Sequence, residues 1–182
     1  MACAPNPSRD TVTDTILSSP PFNSALAVIV PRSLPGECSK LAPSQESKAY
    51  GILENSGFMK TADETSPGGE KSCALSLTDR GAERKTFGKI VATGDTWEVP
   101  VGAVGADLPI FERVASGADT AKVTFTWKFF RFRGVEGLLT LDKLPQRHKS
   151  PRIAEVPPAG VASATFHREG KTWQLDGVQL VQ

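Results

Sequence analysis

The feature that most constrains the fold is an alternating apolar stretch between Ala121 and Arg133. Apolar side chains occupy every second position there, separated by Lys and Thr: Val123, Phe125, Trp127 and Phe129. This period of two is typical of a strand that is buried on one face. Because aromatic side chains bury large areas, we predict that a β-sheet core forms around this strand. The apolar positions then shift to Phe130 and Phe132, which predicts a bulge or a strand that leaves the sheet.

Turn and cap residues divide the rest of the chain into a helical part and a β-rich part. Ser44, with Ser47 three residues on, begins a predicted helix that ends at Gly57. A Pro-Gly-Gly turn at 67–69 indicates a hairpin. We predict an α+β protein with three parts: a flexible tether over 1–10, a helical module with a hairpin over 11–86, and an antiparallel β-rich module over 87–182.

The order of helix, strand, turn and strand in the 11–86 module resembles the second half of a winged-helix domain. The phrase from Leu77 to Gly81 is similar to the closing strand and turn of such domains. The resemblance implies a winged-helix-like module and, as an alternative function, a DNA-binding regulator. DNA binding needs basic side chains that face bases and phosphates. The helix that would read the DNA carries Lys48 against Glu46 and Glu54, so we expect no nucleic-acid partner.

The amino-terminal residues resemble the cleavage point of a bacterial lipoprotein precursor. A small residue precedes Cys3 and a polar, proline-containing tether follows it, with Met1 in place of a native signal peptide. Four further stretches are similar to those of an uncharacterised family of bacterial envelope lipoproteins: Leu77 to Gly81, Ile90 to Val101, Val123 to Trp127 and Ala162 to Trp173. The resemblance implies a lipid on Cys3 and a protein anchored in the cell envelope. It would face the periplasm and have a binding or interaction role.

Cys38 and Cys73 are candidates for a disulfide bond. In an oxidising periplasm they could pair and close a loop of about 35 residues, which stabilises by roughly 3–4 kcal/mol in the chain-entropy model. Two unrelated buried thiols are the alternative, because the sequence does not show whether the two sulfur atoms are close.

Basic residues are concentrated in the carboxy-terminal third of the chain. Residues 1–120 contain 11 Lys and Arg against 15 Asp and Glu, whereas residues 121–182 contain 10 against 5. We predict that two basic segments meet and bind an anionic partner: Lys128, Arg131, Arg133, Arg147, Lys149 and Arg152. The partners expected are a membrane surface reached through the lipid, an anionic lipid or an envelope protein. A solvated sheet edge protected by charge would show the same pattern.

The sequence predicts neither catalysis nor a metal or cofactor. The two histidines, His148 and His167, have no acidic residue at a spacing that indicates an oriented catalytic pair. No Cys-x-x-Cys or His-x-x-x-His motif indicates a metal site. A third candidate function is a small-ligand domain in which a curved sheet wraps a helix, to which the hairpin from Gly170 to Trp173 bears a resemblance.

Overall fold

The structure is a computed structural model that describes five stretches of the chain: residues 7–85, 88–116, 119–141, 143–145 and 159–181. These stretches contain helices and mostly antiparallel strands, which confirms a mixed helical and antiparallel β fold. None of their helices is long and apolar enough to cross a membrane.

Three helices and nine strands follow one another in the described residues. The helices are α1 (Arg9–Leu17), α2 (Gln45–Asn55) and α3 (Asp79–Ala82). The strands are β1 (Ala25–Pro31), β2 (Ser33–Pro35), β3 (Met59–Thr65), β4 (Lys71–Leu77), β5 (Val91–Thr93), β6 (Thr96–Ser116), β7 (Thr120–Arg131), β8 (Ala159–Glu169) and β9 (Thr172–Val181). Short 3-10 helices cover Cys38–Lys40 and Glu136–Thr140.

The chain forms two compact units, each built from segments that are distant in sequence. Unit 1 comprises the described residues of Met1–Ser24, Ala103–Phe130 and Pro157–Gln182. Unit 2 comprises those of Ala25–Gly102 and Arg131–Val156. One sheet has the strand order β1-β6-β7-β8-β9, with β5 paired to β6, and a smaller sheet has the order β2-β4-β3.

In unit 1 the predicted alternation of β7 is confirmed. Its buried side chains are Ala121, Val123, Phe125, Trp127 and Phe129. The ring of Phe22, which follows α1, contacts the ring of Phe125 at a centroid distance of 5.7 Å. The predicted change of parity is wrong, because the alternation continues and Phe130 is 55% exposed. Phe130 packs on Gly105, where an added Cβ would lie 2.5 Å from the ring, so it gains an apolar contact without leaving the strand.

The strand β6 is continuous over Thr96–Ser116. The terminal hairpin of β8 and β9 is present as predicted, and Gly170 adopts a positive φ of 63° in its turn. Thr165 pairs with Gly177 and Phe166 pairs with Leu175, so Asp176 is the extra residue of a β-bulge.

In unit 2 the helix α2 begins and ends as its sequence predicts. The side chains of Ser44 and Ser47 each accept a hydrogen bond from the other's backbone N–H, which forms a capping box. Gly57 follows the helix with a φ of 72°. The buried residue Tyr50 donates a 2.9 Å hydrogen bond to the Pro31 carbonyl, and burial raises the pKa of its hydroxyl. The β3–β4 hairpin around the Pro-Gly-Gly turn is also confirmed.

Candidate anion-binding site

The predicted basic residues fall in different parts of the molecule. Lys128 is an exposed residue of β7 in unit 1 and already has an interaction partner. Arg131 and Arg133 are exposed residues of unit 2, on either side of Phe132. Four predicted site residues lie outside the described residues: Cys3, Arg147, Lys149 and Arg152. The predicted meeting of the two basic segments therefore stays a prediction.

The structure brings a second pair of arginines, which the sequence reasoning missed, close to Phe58, and one of the two also contacts Phe132. The guanidinium carbon of Arg84 lies 4.4 Å from the centroid of the Phe58 ring and 5.8 Å from that of the Phe132 ring. The guanidinium carbon of Arg80 lies 5.1 Å from the Phe58 centroid. These distances are those of cation–π contacts. We call the five residues Phe58, Arg80, Arg84, Gly88 and Phe132 the arginine site.

Local sequence explains why α3 and the residues that follow it hold Arg80 and Arg84 against Phe58. The Thr78 side chain accepts a hydrogen bond from the Gly81 N–H at 3.1 Å and so caps the first turn. The same hydroxyl donates to the Gly57 carbonyl at 2.7 Å, which holds the turn to the end of α2. A Cβ at position 81 would lie 2.0 Å from the Phe58 carbonyl oxygen, so only glycine permits this close approach.

The segment after β7 covers the same ring from another side. A Cβ on Gly134 would lie 3.2 Å from the Phe58 ring, and Gly134 has a positive φ of 90°. The Gly134 N–H donates a 2.6 Å hydrogen bond to the Glu136 carboxylate, which fixes the turn. Gly134 therefore lies against Phe58 while Phe132 contacts Arg84, and all of these residues belong to unit 2.

The charge and the hydrogen-bond donors of the Arg84 guanidinium are only partly compensated by neighbouring groups. Its Nη1 atom is buried and has no hydrogen-bond partner among the described residues. Burial lowers the pKa of the Arg84 guanidinium, because removal from water disfavours the charged form. An unsatisfied buried donor costs about 1–3 kcal/mol, and cation–π contacts return about 0.5–2 kcal/mol. The contacts in the structure thus leave Arg84 without a clear stabilising role.

The opposite edge of the Arg84 guanidinium packs against the backbone of Gly88. A Cβ on Gly88 would lie 3.3 Å from both Nε and Nη2, the two atoms that bind an anion in bidentate geometry. Within the described residues, no carboxylate lies in ion-pair distance of Arg80, Arg84, Arg131 or Arg133. The arginine site therefore carries a positive charge that no carboxylate of the described residues compensates.

The predicted disulfide is confirmed as a pair. Cys38 and Cys73 are bonded, with a Cα–Cα distance of 4.7 Å, and Cys73 is fully buried. Glu37 forms ion pairs with Lys40, at 2.6 Å, and with Lys71. Hydrogen bonds from these two ammonium groups, Lys40 first, lower the pKa of the Glu37 carboxyl. The disulfide joins the 3-10 helix Cys38–Lys40 to β4.

One histidine has an acidic partner, which contradicts the expectation from spacing. His167 on β8 contacts the carboxylate of Asp176 through its Nδ1 atom, and both side chains are about half exposed. The β-bulge explains the error, because it turns Asp176 toward the neighbouring strand. His148 lies outside the described residues. Among the described residues no group of three His, Cys, Asp or Glu side chains could hold a metal ion.

Each unit also has an open groove. In unit 1, a groove of about 570 Å³ is lined by Asp14, Thr15, Ser18, Ser19, Gln174 and Leu175. In unit 2, a groove of about 800 Å³ follows β2 and the start of β4. The charged residues that line these grooves, Asp14, Glu70 and Lys71, are exposed, so the arginine site, where a charge is partly buried, is the stronger candidate.

Comparison with protein-family models, with curated proteins and with solved structures finds no match. The functional argument therefore rests on the residues of this chain.

Proposed function

We propose that the protein is a binding protein of the bacterial cell envelope, held at a membrane by a lipid on Cys3 and facing the periplasm. The observation that carries this proposal is the disulfide between Cys38 and Cys73. Structural disulfides persist in oxidising compartments and are rare where thiols are kept reduced. The cleavage-like sequence around Cys3 supplies the anchor.

The binding role has an anionic partner, either an anionic lipid or an acidic surface of an envelope protein. Arg80, Arg84, Arg131 and Arg133 supply four positive charges that no carboxylate of the described residues neutralises. Arginine suits this role because its charge persists at every physiological pH and its planar group binds carboxylates and phosphates through two hydrogen bonds. No catalytic residue enters the proposal.

A winged-helix regulator is the second candidate, favoured by the order of α2, the β3–β4 hairpin and α3. The charged residues of α2 argue against DNA binding. α2 carries Lys48 as its basic residue against Glu46 and Glu54, and affinity for DNA depends on neutralising phosphates. A regulator acting in the cytoplasm would also keep Cys38 and Cys73 reduced.

The intact mass of the full-length precursor, expressed in a bacterial host, tests the proposal. We expect added diacylglycerol and acyl groups on Cys3, and a mass increase of about two daltons when Cys38 and Cys73 are reduced. An unmodified mass with both thiols free would contradict it and favour the regulator. A fluorescently labelled DNA duplex, tested at low salt, would then decide the second candidate.

A further inference from the structure

The strand β9 is the last strand of the larger sheet, and only one of its edges pairs with a strand of the described residues. In the order β1-β6-β7-β8-β9, β8 pairs with the inner edge of β9, and no described strand pairs with its outer edge. Such an edge presents backbone N–H and C=O groups that can pair with a further strand. The outer edge of β9 is therefore a place where an extended segment can bind.

The groove of about 570 Å³ in unit 1 lies at this outer edge. Its lining residues on β9 are Gln174 and Leu175, and successive residues of a strand point to opposite faces of the sheet. No described residue of β8 lines the groove. A groove that reaches two successive residues of β9, and none of β8, lies beside the outer edge of the strand rather than over one face of the sheet.

The helix α1 forms the other wall of this groove. It contributes three short polar side chains and one carboxylate: Thr15, Ser18, Ser19 and Asp14. The volume is within the range of about 300–1,000 Å³ that is typical of ligand pockets. A groove between a helix and a sheet edge suits an extended peptide that adds to the sheet as a strand. We call the space between Asp14–Ser19 and Gln174–Leu175 the edge groove.

Two features of β9 limit the length of such a peptide. Lys171 precedes the strand in its turn, and Asp176, the extra residue of the β-bulge, interrupts the regular pairing. Lysines and bulges at sheet edges hinder long edge-to-edge association. The regular stretch between them, Thr172 to Leu175, spans about 13 Å. The edge groove therefore fits a short peptide rather than a long strand.

The side chains of the groove indicate the chemistry of the peptide. Leu175 is half-buried and offers apolar surface. Asp14 is exposed, and within the described residues no ion pair engages its carboxylate. The exposed Asp10 lies one turn earlier on the same side of α1 and adds a second negative charge. These residues favour a peptide that carries an apolar and a basic side chain.

A second copy of β9 is a poorer fit to the edge groove. The strand from Thr172 to Val181 contains no Lys or Arg, so two copies paired through β9 would bring no cation from that strand to Asp14. They would instead bring the carboxylates of two Asp176 residues to the same sheet edge, and like charges repel. The charges therefore favour a segment of another protein.

We infer that the edge groove binds a short extended peptide of a partner protein, which pairs with the outer edge of β9. The peptide has an apolar side chain beside Leu175 and, two residues away, a basic side chain that pairs with Asp14. Residues two apart point to the same face of an extended chain, so both side chains can face α1. This interaction surface belongs to unit 1 and is independent of the lipid on Cys3 and of the arginine site.

Backbone NMR of the full-length chain tests the inference with two capped peptides, Thr-Lys-Thr-Leu-Thr and Thr-Leu-Thr-Lys-Thr. The two place the basic residue on either side of the apolar one. With at least one of them we expect saturable shifts of the amides of Thr172 to Leu175 and of Asp14 to Ser19. Absence of saturable shifts at these residues with both peptides would overturn the inference.

Modified peptides test whether binding occurs by strand pairing. A strand pairs with one neighbour through the N–H groups of alternate residues. N-methylation of the Thr residues in one peptide, and of the Lys and Leu residues in another, should therefore abolish binding in one case and spare it in the other. Equal affinities of these two peptides would refute strand pairing.

Two protein variants test the groove itself. Asp14→Asn removes the charge and keeps the size, so we expect affinity for the Lys peptide to fall about threefold to fivefold, because an exposed ion pair contributes little. Replacement of Lys by Glu in the peptide should remove this difference between the proteins. Ser18→Leu fills the groove and should weaken both peptides. Glu64→Gln, an exposed residue of β3 in unit 2, is the matched control and should bind like the wild type.

Thermal unfolding shows whether each variant is folded, and Asp14→Asn serves if Ser18→Leu is not. Wild-type affinity in the folded variants would refute the site. Sedimentation without peptide tests the competing occupant. A dimer that forms with shifts of the same β9 amides would overturn the inference and assign the edge to a second copy. A lipidated Cys3 without peptide binding would refute this inference alone, whereas peptide binding with an unmodified Cys3 would refute only the envelope placement.

Discussion

Trp127 in unit 1 and Phe58 in unit 2 are both aromatic residues in close contact with polar groups, yet the two rings are used differently. Trp127 is 1% exposed, and its indole N–H donates to the Val161 carbonyl at 3.2 Å. Phe58 is 9% exposed and contacts two guanidinium groups, one of which has a buried nitrogen with no hydrogen-bond partner among the described residues. The Trp127 ring lies in a core in which its N–H has a partner, whereas the Phe58 ring lies beside a charge that no described carboxylate pairs. The difference supports the proposal that unit 2 binds an anionic partner.

The largest loss of stability is expected in the core of unit 1. Trp127→Ala removes a fully buried ring that packs on Gly160, and we expect a loss of about 3–5 kcal/mol in the free energy of unfolding. Denaturant titration measures it. A loss below about 1 kcal/mol would show that the β7 face is not the core that the alternation indicates.

Removal of the disulfide should cause the next largest loss of stability. Replacement of both Cys38 and Cys73 by alanine removes a link across a sequence separation of 35 residues, and we expect a loss of about 2–4 kcal/mol. The wild-type protein with and without a reducing agent is the parallel comparison. Equal stability in all three samples would contradict a structural role for the bond.

Arg84→Met sharpens the comparison, because it keeps the length of the side chain and removes the charge. Replacing a poorly compensated buried charge with an apolar group is often neutral or stabilising. We expect a change within about 1 kcal/mol of the wild type, toward higher stability, and this pattern is common for residues retained for function. A loss above about 2 kcal/mol in a denaturant titration would show that Arg84 stabilises the folded state.

The smallest effect is expected at Glu37, which lies at the surface, partly covered, and bridges Lys40 and Lys71. The folded-state pKa of this carboxyl is lowered, so the contribution of the ion pairs is present above pH 4.5 and is lost as the pH falls through the lower, folded-state pKa. Unfolding of Glu37→Gln and wild type across this range should converge at acid pH. High salt should reduce the difference as well, and a gap that widens in acid would contradict the account.

The sequence was sufficient for elements whose signals are local. The alternation around Phe125 predicted β7, and Ser44 with Ser47 predicted the start of α2, because each pattern acts within a few residues. The continuation of the alternation to Phe130 was missed because it depends on Gly105 in the neighbouring strand.

The candidate site depends almost wholly on contacts between distant residues. Arg84 contacts Phe132, which lies 48 positions later in the sequence, and no periodicity or motif predicts that contact. The one local signal was Gly81, which was interpreted as part of a winged-helix phrase although it also allows α3 to approach Phe58. Exposed Arg131 and Arg133 were predicted from charge to meet the segment that contains Arg147, which lies outside the described residues.

The most direct test of the account compares unfolding of the wild type and Arg84→Met with and without inorganic phosphate. A ligand that binds the folded state raises the unfolding midpoint with concentration, whereas the general effect of phosphate on burial acts on both proteins alike. The account predicts a larger midpoint increase in the wild type than in Arg84→Met. Equal increases in the two proteins would contradict the assignment of the arginine site as the place where an anion binds.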